Sequence, residues 1–303
     1  MNSIVVNKVD TFQGHKDAVY TLEPSSDAAT FFSAAGDGMV VSWNLNEPDK
    51  GELIAKLPNS VYSIHYLSEA NILAVGHNYD GIHFIDIATK KEKASLKFVE
   101  GAIFDIKSHK DKLFVGDSIG NLYIISLNPL KVVNTINVAE KSVRTIAVNE
   151  LSNELAVGTS DNQIKIFDLE TLELKYTLNN HDNSVFTLKY SPDSQLLLSA
   201  GRDAHLMIWD LKGGYLLLED IVAHMFAINN IAFSPNNKHF VTCSMDKSIK
   251  VWDAERFKLL KVIDKARHAG HGTSVNKLLW TDFNDLLVSA SDDRTISVWE
   301  IEF

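Results

Sequence analysis

The chain repeats itself. Aligned on itself, the sequence brings Trp43, Ile85, Ile125, Phe167, Trp209, Trp252 and Trp299 to equivalent places, at steps of 42, 40, 42, 42, 43 and 47 residues. Seven units of about forty residues account for almost all of the 303. Such a period constrains the fold more than any local motif. Each unit is a piece of supersecondary structure that buries its apolar surface only against its neighbours. Within a unit, four short apolar stretches alternate with turn residues, which suits strands and not helices. In the fifth unit they fall at 185–190, 196–200, 206–211 and 216–221. The expected fold class is all-β.

Four units share one constellation. His15, Ser33, Asp37 and Trp43 recur as His181, Ser199, Asp203 and Trp209, then as His224, Thr242, Asp246 and Trp252, then as His271, Ser289, Asp293 and Trp299. The spacing is always 18, 4 and 6. Ser, His and Asp are the residue types of an acyl-transfer triad. A triad occurs once per active site, whereas this set occurs four times, once with Thr, and a Trp always completes it. Repetition at fixed spacing argues for a structural hydrogen-bonded network. Trp only donates, a carboxylate only accepts, and Ser and neutral His do both, so the four can satisfy one another when buried. No catalytic residue is expected among them.

Further residues recur in register. They include Gly14-His15 and Gly270-His271, with weaker Asn180-His181 and Ala223-His224. Trp209-Asp210 and Trp252-Asp253 form a dipeptide that Trp43-Asn44, Phe167-Asp168 and Trp299-Glu300 approximate. Ser191-Pro192-Asp193 and Ser234-Pro235-Asn236 mark turns between strands. On these features the whole chain resembles the WD-repeat (WD40) β-propellers. The resemblance implies one domain over residues 1–303, a seven-bladed propeller with four antiparallel strands per blade around a central channel. Units two to four depart from the pattern. They have Val75, Val115 and Val157 at the Ser position, and only Asp161, with Asp80 one place late, near the turn Asp. Apolar packing is expected to hold those blades instead.

The last unit stops after its third strand, TISVWEIEF, whereas a spare strand, SIVVNKVDTF, precedes the first. Residues 3–12 are therefore expected to form the outer strand of blade seven. This closes the ring and removes exposed sheet edges.

Two apolar residues lie three apart at the start of every unit, from Val19 and Leu22 to Val275 and Leu278. A flat strand repeats every two residues, so a bulge is expected in each inner strand. Just after the first anchor come Tyr20, Tyr62, Phe104, Arg144, Phe186, Asn229 and Asn276. In WD-repeat proteins these positions border the top surface, joined by the residue before the turn Asp: here Gly36, Ser160, Arg202, Met245 and Asp292. Aromatic residues and Arg are the types enriched in binding hot spots. The expected partner-binding residues are Tyr20, Tyr62, Phe104, Arg144, Phe186, Arg202, Asn229, Met245, Asn276 and Asp292. An aromatic patch over blades one to three, flanked by Arg144, Phe186 and Arg202, suits a peptide with apolar and acidic side chains.

Charge narrows the partners. Twenty-nine Lys and Arg stand against 39 Asp and Glu, for a net charge of −10. Such a field disfavours nucleic acid and anionic membranes. The single cysteine, Cys243, excludes an intramolecular disulfide and a thiolate zinc site. Neither a signal peptide nor a membrane span is evident, so a cytoplasmic location is expected. Secondary candidates are weak. His268 and His271 lack a third ligand, Gly213-Gly214 reads as a hairpin turn, and Asp80, Asp105, Asp111 and Asp117 read as loop or turn carboxylates. No cofactor or metal is expected. The function expected is a non-enzymatic scaffold for a protein or peptide partner, as a monomer or within a larger complex. The alternative is a propeller enzyme, or a small-molecule or metal binder, using the central channel.

Overall fold

The computed structural model describes residues 4–303; Ser3 of the expected closing strand lies outside them. Among the described residues, the strands form seven four-stranded sheets. Helix among these residues is confined to two short turns, Ser68–Ala70 and Lys265–His268. The fold class is a seven-bladed β-propeller, with each blade an antiparallel meander built largely from one repeat. Blade five comprises Val185–Tyr190, Leu196–Gly201, His205–Asp210 and Leu216–Val222. These bounds lie within one residue of those read from the sequence.

Blade seven draws on two distant parts of the chain. Val275–Trp280, Leu287–Ser291 and Ile296–Glu302 come from its own repeat, and Val5–Phe12 is the fourth strand. Val6 lies opposite Ile301 and Phe12 opposite Ile296. Phe12 is buried at 2% exposure and stacks on Phe31, with ring centroids 5.9 Å apart.

The chain forms two compact units. One comprises residues 1–73, 85–91 and 229–303; the other comprises 74–84 and 92–228. Each has its own core. In the first, Phe12, Phe31 and Trp43 pack with Val288 and Val298, while Val251, Trp280 and Trp299 form a second cluster that Ile4 and Val6 edge. In the second, Phe114, Val143 and Phe167 make one cluster, and Ile166, Val185 and Trp209 make another.

Two local devices recur. Register shifts fall between Val19 and Thr21, Ile103 and Asp105, Val143 and Thr145, Val185 and Thr187, and Val275 and Lys277. Each leaves out one residue, respectively Tyr20, Phe104, Arg144, Phe186 and Asn276, so the bulge sets the three-residue step of the sequence. The second device is the turn after the network Asp. Gly38 has φ +75°, and a Cβ there would sit 2.2 Å from the Leu57 carbonyl oxygen, so only glycine fits. Ala204, Lys247 and Arg294 adopt the same left-handed region in their blades. Left-handed backbone in such residues costs of order 1–3 kcal/mol. The preceding Asp offsets this by accepting a backbone N–H beyond the turn: Met39 N to Asp37 at 2.8 Å, His205 N to Asp203 at 3.2 Å, Ser248 N to Asp246 at 3.0 Å and Thr295 N to Asp293 at 3.1 Å.

The expectation that apolar packing holds blades two to four needs a correction in blade three. Val75, Val115 and Val157 are fully buried, yet blade three also carries buried polar groups. Asp117 is a turn carboxylate, but it acts from the end of the strand Lys112–Asp117 and is fully buried. Tyr123 donates its hydroxyl to it at 3.0 Å, and the Ile119 and Asn121 N–H groups bond it at 3.0 and 2.8 Å. Burial first, and then the Asp117 charge, push the Tyr123 hydroxyl up to about 12. Asp105 is not a loop residue. It lies buried in Ile103–His109 and accepts Ile146 N from the next blade at 2.7 Å.

Candidate functional site

Three copies of the repeated constellation form one hydrogen-bonded chain of fixed direction. Trp209 Nε1–H donates to Ser199 Oγ at 2.8 Å, Ser199 Oγ lies 2.7 Å from His181 Nε2, and His181 Nδ1 lies 2.7 Å from Asp203. An indole at one end and a carboxylate at the other leave Ser to donate to Nε2 and Nδ1–H to donate to Asp. Trp299, Ser289, His271 and Asp293 repeat this at 2.8, 2.8 and 2.9 Å. Trp43, Ser33 and His15 do so at 2.8 and 2.7 Å, with a looser His15–Asp37 contact of 3.3 Å. In the fourth copy Trp252 donates to Thr242 at 3.0 Å. Ser33, Ser199, Thr242 and Ser289 are fully buried, and the His members are buried too. A nucleophile must be open to substrate; these hydroxyls are enclosed, and those of Ser33, Ser199 and Ser289 have both donor and acceptor roles filled.

Electrostatics fit a buried network. Burial lowers the His15 pKa, against the pull of Asp37. Burial opposes ionisation of Asp203 and Asp293, but the hydrogen bonds they accept from His181 and His271 outweigh it, holding both carboxyls below the usual range.

The rim residues fall into two sets, one in each unit. In the first, the Tyr20 and Tyr62 rings meet with centroids 4.9 Å apart. Met245 and Asp292 are exposed. Asn276 already has partners within the chain. Its amide donates to the Val19 carbonyl at 3.0 Å and to Asp292 at 2.7 Å, which ties blade seven to blade one. Asn229 likewise donates to Ser274 and to the Val275 carbonyl, at 3.1 and 2.9 Å. In the second unit, the Arg144 guanidinium lies between two rings, 4.0 Å from the Phe104 centroid and 4.8 Å from that of Phe186. All three side chains are half-buried, and Arg202 is exposed. Such cation–π contacts are worth about 0.5–2 kcal/mol each, rising with desolvation.

Two features escaped the sequence reading. After His224 come Met225 and Phe226, 80% and 60% exposed. The other three copies of the constellation carry Lys16-Asp17, Asp182-Asn183 and Gly272-Thr273 there, and that contrast was the available signal. Ala223 N and His224 N bond the Ala204 carbonyl, so this apolar pair hangs beside the turn that carries Arg202. The second feature is a cluster of His77, Asp80 and His83, whose ligand atoms converge within 4.8 Å. By contrast, His268 stands in a helical turn near Asp264, while His271 belongs to the network. No helix among the described residues is long and apolar enough to cross a membrane.

Repeated four-stranded blades pinned by Trp–Ser–His–Asp chains define the class of WD-repeat β-propellers. The chain belongs to the family described as nucleolar protein 10-like, N-terminal domain, whose model matches residues 99–301, and residues 6–44 match the WD domain, G-beta repeat. The crystal structure of the WD40 β-propeller domain of Doa1 superposes with a TM-score of 0.85 at 18% identity, over 98% of this chain and 97% of that one. A segment of 55 residues is 36% identical to eukaryotic translation initiation factor 3 subunit I of Candida glabrata; it spans 18% of this chain and 16% of that protein.

Proposed function

We propose that this chain is a non-enzymatic scaffold that binds a protein or peptide partner through its bulge residues. The observation that carries this is the Phe104–Arg144–Phe186 stack, three side chains extruded from three successive inner strands into partial exposure. Bulges re-aim side chains out of the ladder, and aromatic and Arg side chains are the commonest anchors of protein interfaces. Met225 and Phe226, with Arg202 beside them, extend the apolar and cationic character in the same unit. A partner segment offering apolar side chains and a carboxylate complements both. The Tyr20–Tyr62 pair offers a second aromatic contact in the other unit. The translation-factor relative is by its name a subunit of an assembly, which supports membership of a multi-protein complex for this chain.

Affinity capture from native cells, with wild type beside Phe104→Ala and Tyr62→Ala, tests this reading. Specific partners should be recovered with the wild type. Phe104→Ala should reduce capture at least tenfold while thermal melting changes little. Undiminished capture of every partner by both variants would refute the proposed surface.

A further inference from the structure

We infer that His77, Asp80 and His83 form a binding site for a divalent transition-metal ion of the zinc class. The residues come from one hairpin of blade two. His77 ends the strand Ile72–His77, Asp80 sits in the turn and His83 lies in the strand Gly81–Asp86. His77 Nδ1 is 3.0 Å from His83 Nε2, and Asp80 Oδ2 is 3.5 Å from the first and 3.4 Å from the second. Three donor atoms thus form a nearly equilateral triangle. Zinc bonded to nitrogen and oxygen at about 2.0–2.1 Å in tetrahedral geometry separates its ligands by about 3.3–3.4 Å. The triangle already has that size, with the fourth corner left to water.

The surroundings orient these donors. His83 Nδ1 lies 2.8 Å from Glu92 Oε2 on the strand Lys91–Lys97. A carboxylate accepts only, so Nδ1 carries the proton and the Nε2 lone pair points into the triangle. This carboxylate–histidine pairing is the usual support of a metal-bound imidazole. Lys97 Nζ holds the other oxygen of Asp80 at 2.8 Å, leaving Oδ2 directed at the histidines. The Phe98 and Val99 N–H groups bond the Asp80 carbonyl at 3.0 and 3.3 Å and fix the turn. Without an ion, a proton on His77 Nδ1 can bridge the two rings. A metal replaces that proton and draws on all three lone pairs. The Lys97 ammonium opposes a cation by charge, but its side chain is 81% exposed and well screened. The ligand side chains are 13%, 28% and 19% exposed, so an ion has an entry path. Imidazole with one carboxylate suits zinc, nickel or copper better than magnesium or calcium.

Titration calorimetry of tag-free, chelator-dialysed full chain with zinc sulfate tests the inference, with cobalt(II) absorption as a second readout. One zinc per chain is expected, and cobalt should give the intense visible bands of a four-coordinate site. His77→Gln and His83→Gln should each weaken zinc at least 100-fold. Glu92→Gln, which touches no metal, should weaken it about 10–100-fold. Melting in chelator should stay near wild type for all three, which separates lost ligands from lost folding. Absence of stoichiometric zinc, or stoichiometric zinc that survives in the His77→Gln/His83→Gln double variant, would overturn the assignment.

Discussion

Deleting residues 1–12 should lower the melting temperature by about 10 °C or more, or leave protein that does not fold. The strand Val5–Phe12 is the outer strand of blade seven and pairs along Ile296–Glu302. Its loss unpairs the backbone of that strand and exposes Trp299 and Ile301 at a new sheet edge. Phe12 alone, 2% exposed between Phe31 and Trp43, accounts for about 3–5 kcal/mol by analogy with other buried Phe truncations. Differential scanning calorimetry of the truncated chain checks this. A melt matching that of the full chain would mean that the strand contributes little.

Trp209→Ala should be the most damaging single substitution in blade five, costing about 3–5 kcal/mol. It empties a fully buried site in the cluster with Val185, Leu197 and Tyr215, and removes the donor to Ser199. Trp209→Phe keeps most of the volume and loses the hydrogen bond, so it should cost roughly 1–3 kcal/mol. Ser199→Ala leaves an indole N–H and an imidazole nitrogen buried without partners, and should also destabilise by roughly 1–3 kcal/mol. Denaturant unfolding of the three variants checks this. A catalytic serine would behave otherwise: its removal would leave stability intact and abolish a hydrolytic activity.

What the sequence made legible is whatever the repeat encodes locally. The 18–4–6 spacing placed Trp, Ser, His and Asp together because each blade brings the same positions of successive strands into contact. The three-residue step marked the bulges because the apolar anchors on either side stay buried. What was not legible depends on relations across strands or between blades. Asp117 and Tyr123 meet across neighbouring strands, two places away from the turn position occupied by Asp in other blades, so their pairing breaks the pattern. Asn229 and Asn276 look like surface amides in the sequence, and only the neighbouring blade reveals which carbonyls they bond. His77, Asp80 and His83 converge through the geometry of one hairpin, and a simple 3–3 spacing gives no warning of it. The partner surface is the least legible feature, since the bulge fixes where a side chain emerges and not what it meets.

Strands from near the two extremes of this sequence share one sheet, and an engineered cross-link tests that pairing most directly. Asn7 and Glu300 are register partners on Val5–Phe12 and Ile296–Glu302, and both are exposed. Antiparallel partners have Cα atoms about 4.5–5.5 Å apart, within the span of a disulfide. The Asn7→Cys/Glu300→Cys variant should oxidise to an intrachain bond and melt higher than its reduced form, by up to about 4–5 kcal/mol of stabilisation for so long a loop. Folded protein whose two thiols stay reduced, or join only between chains, would contradict the pairing.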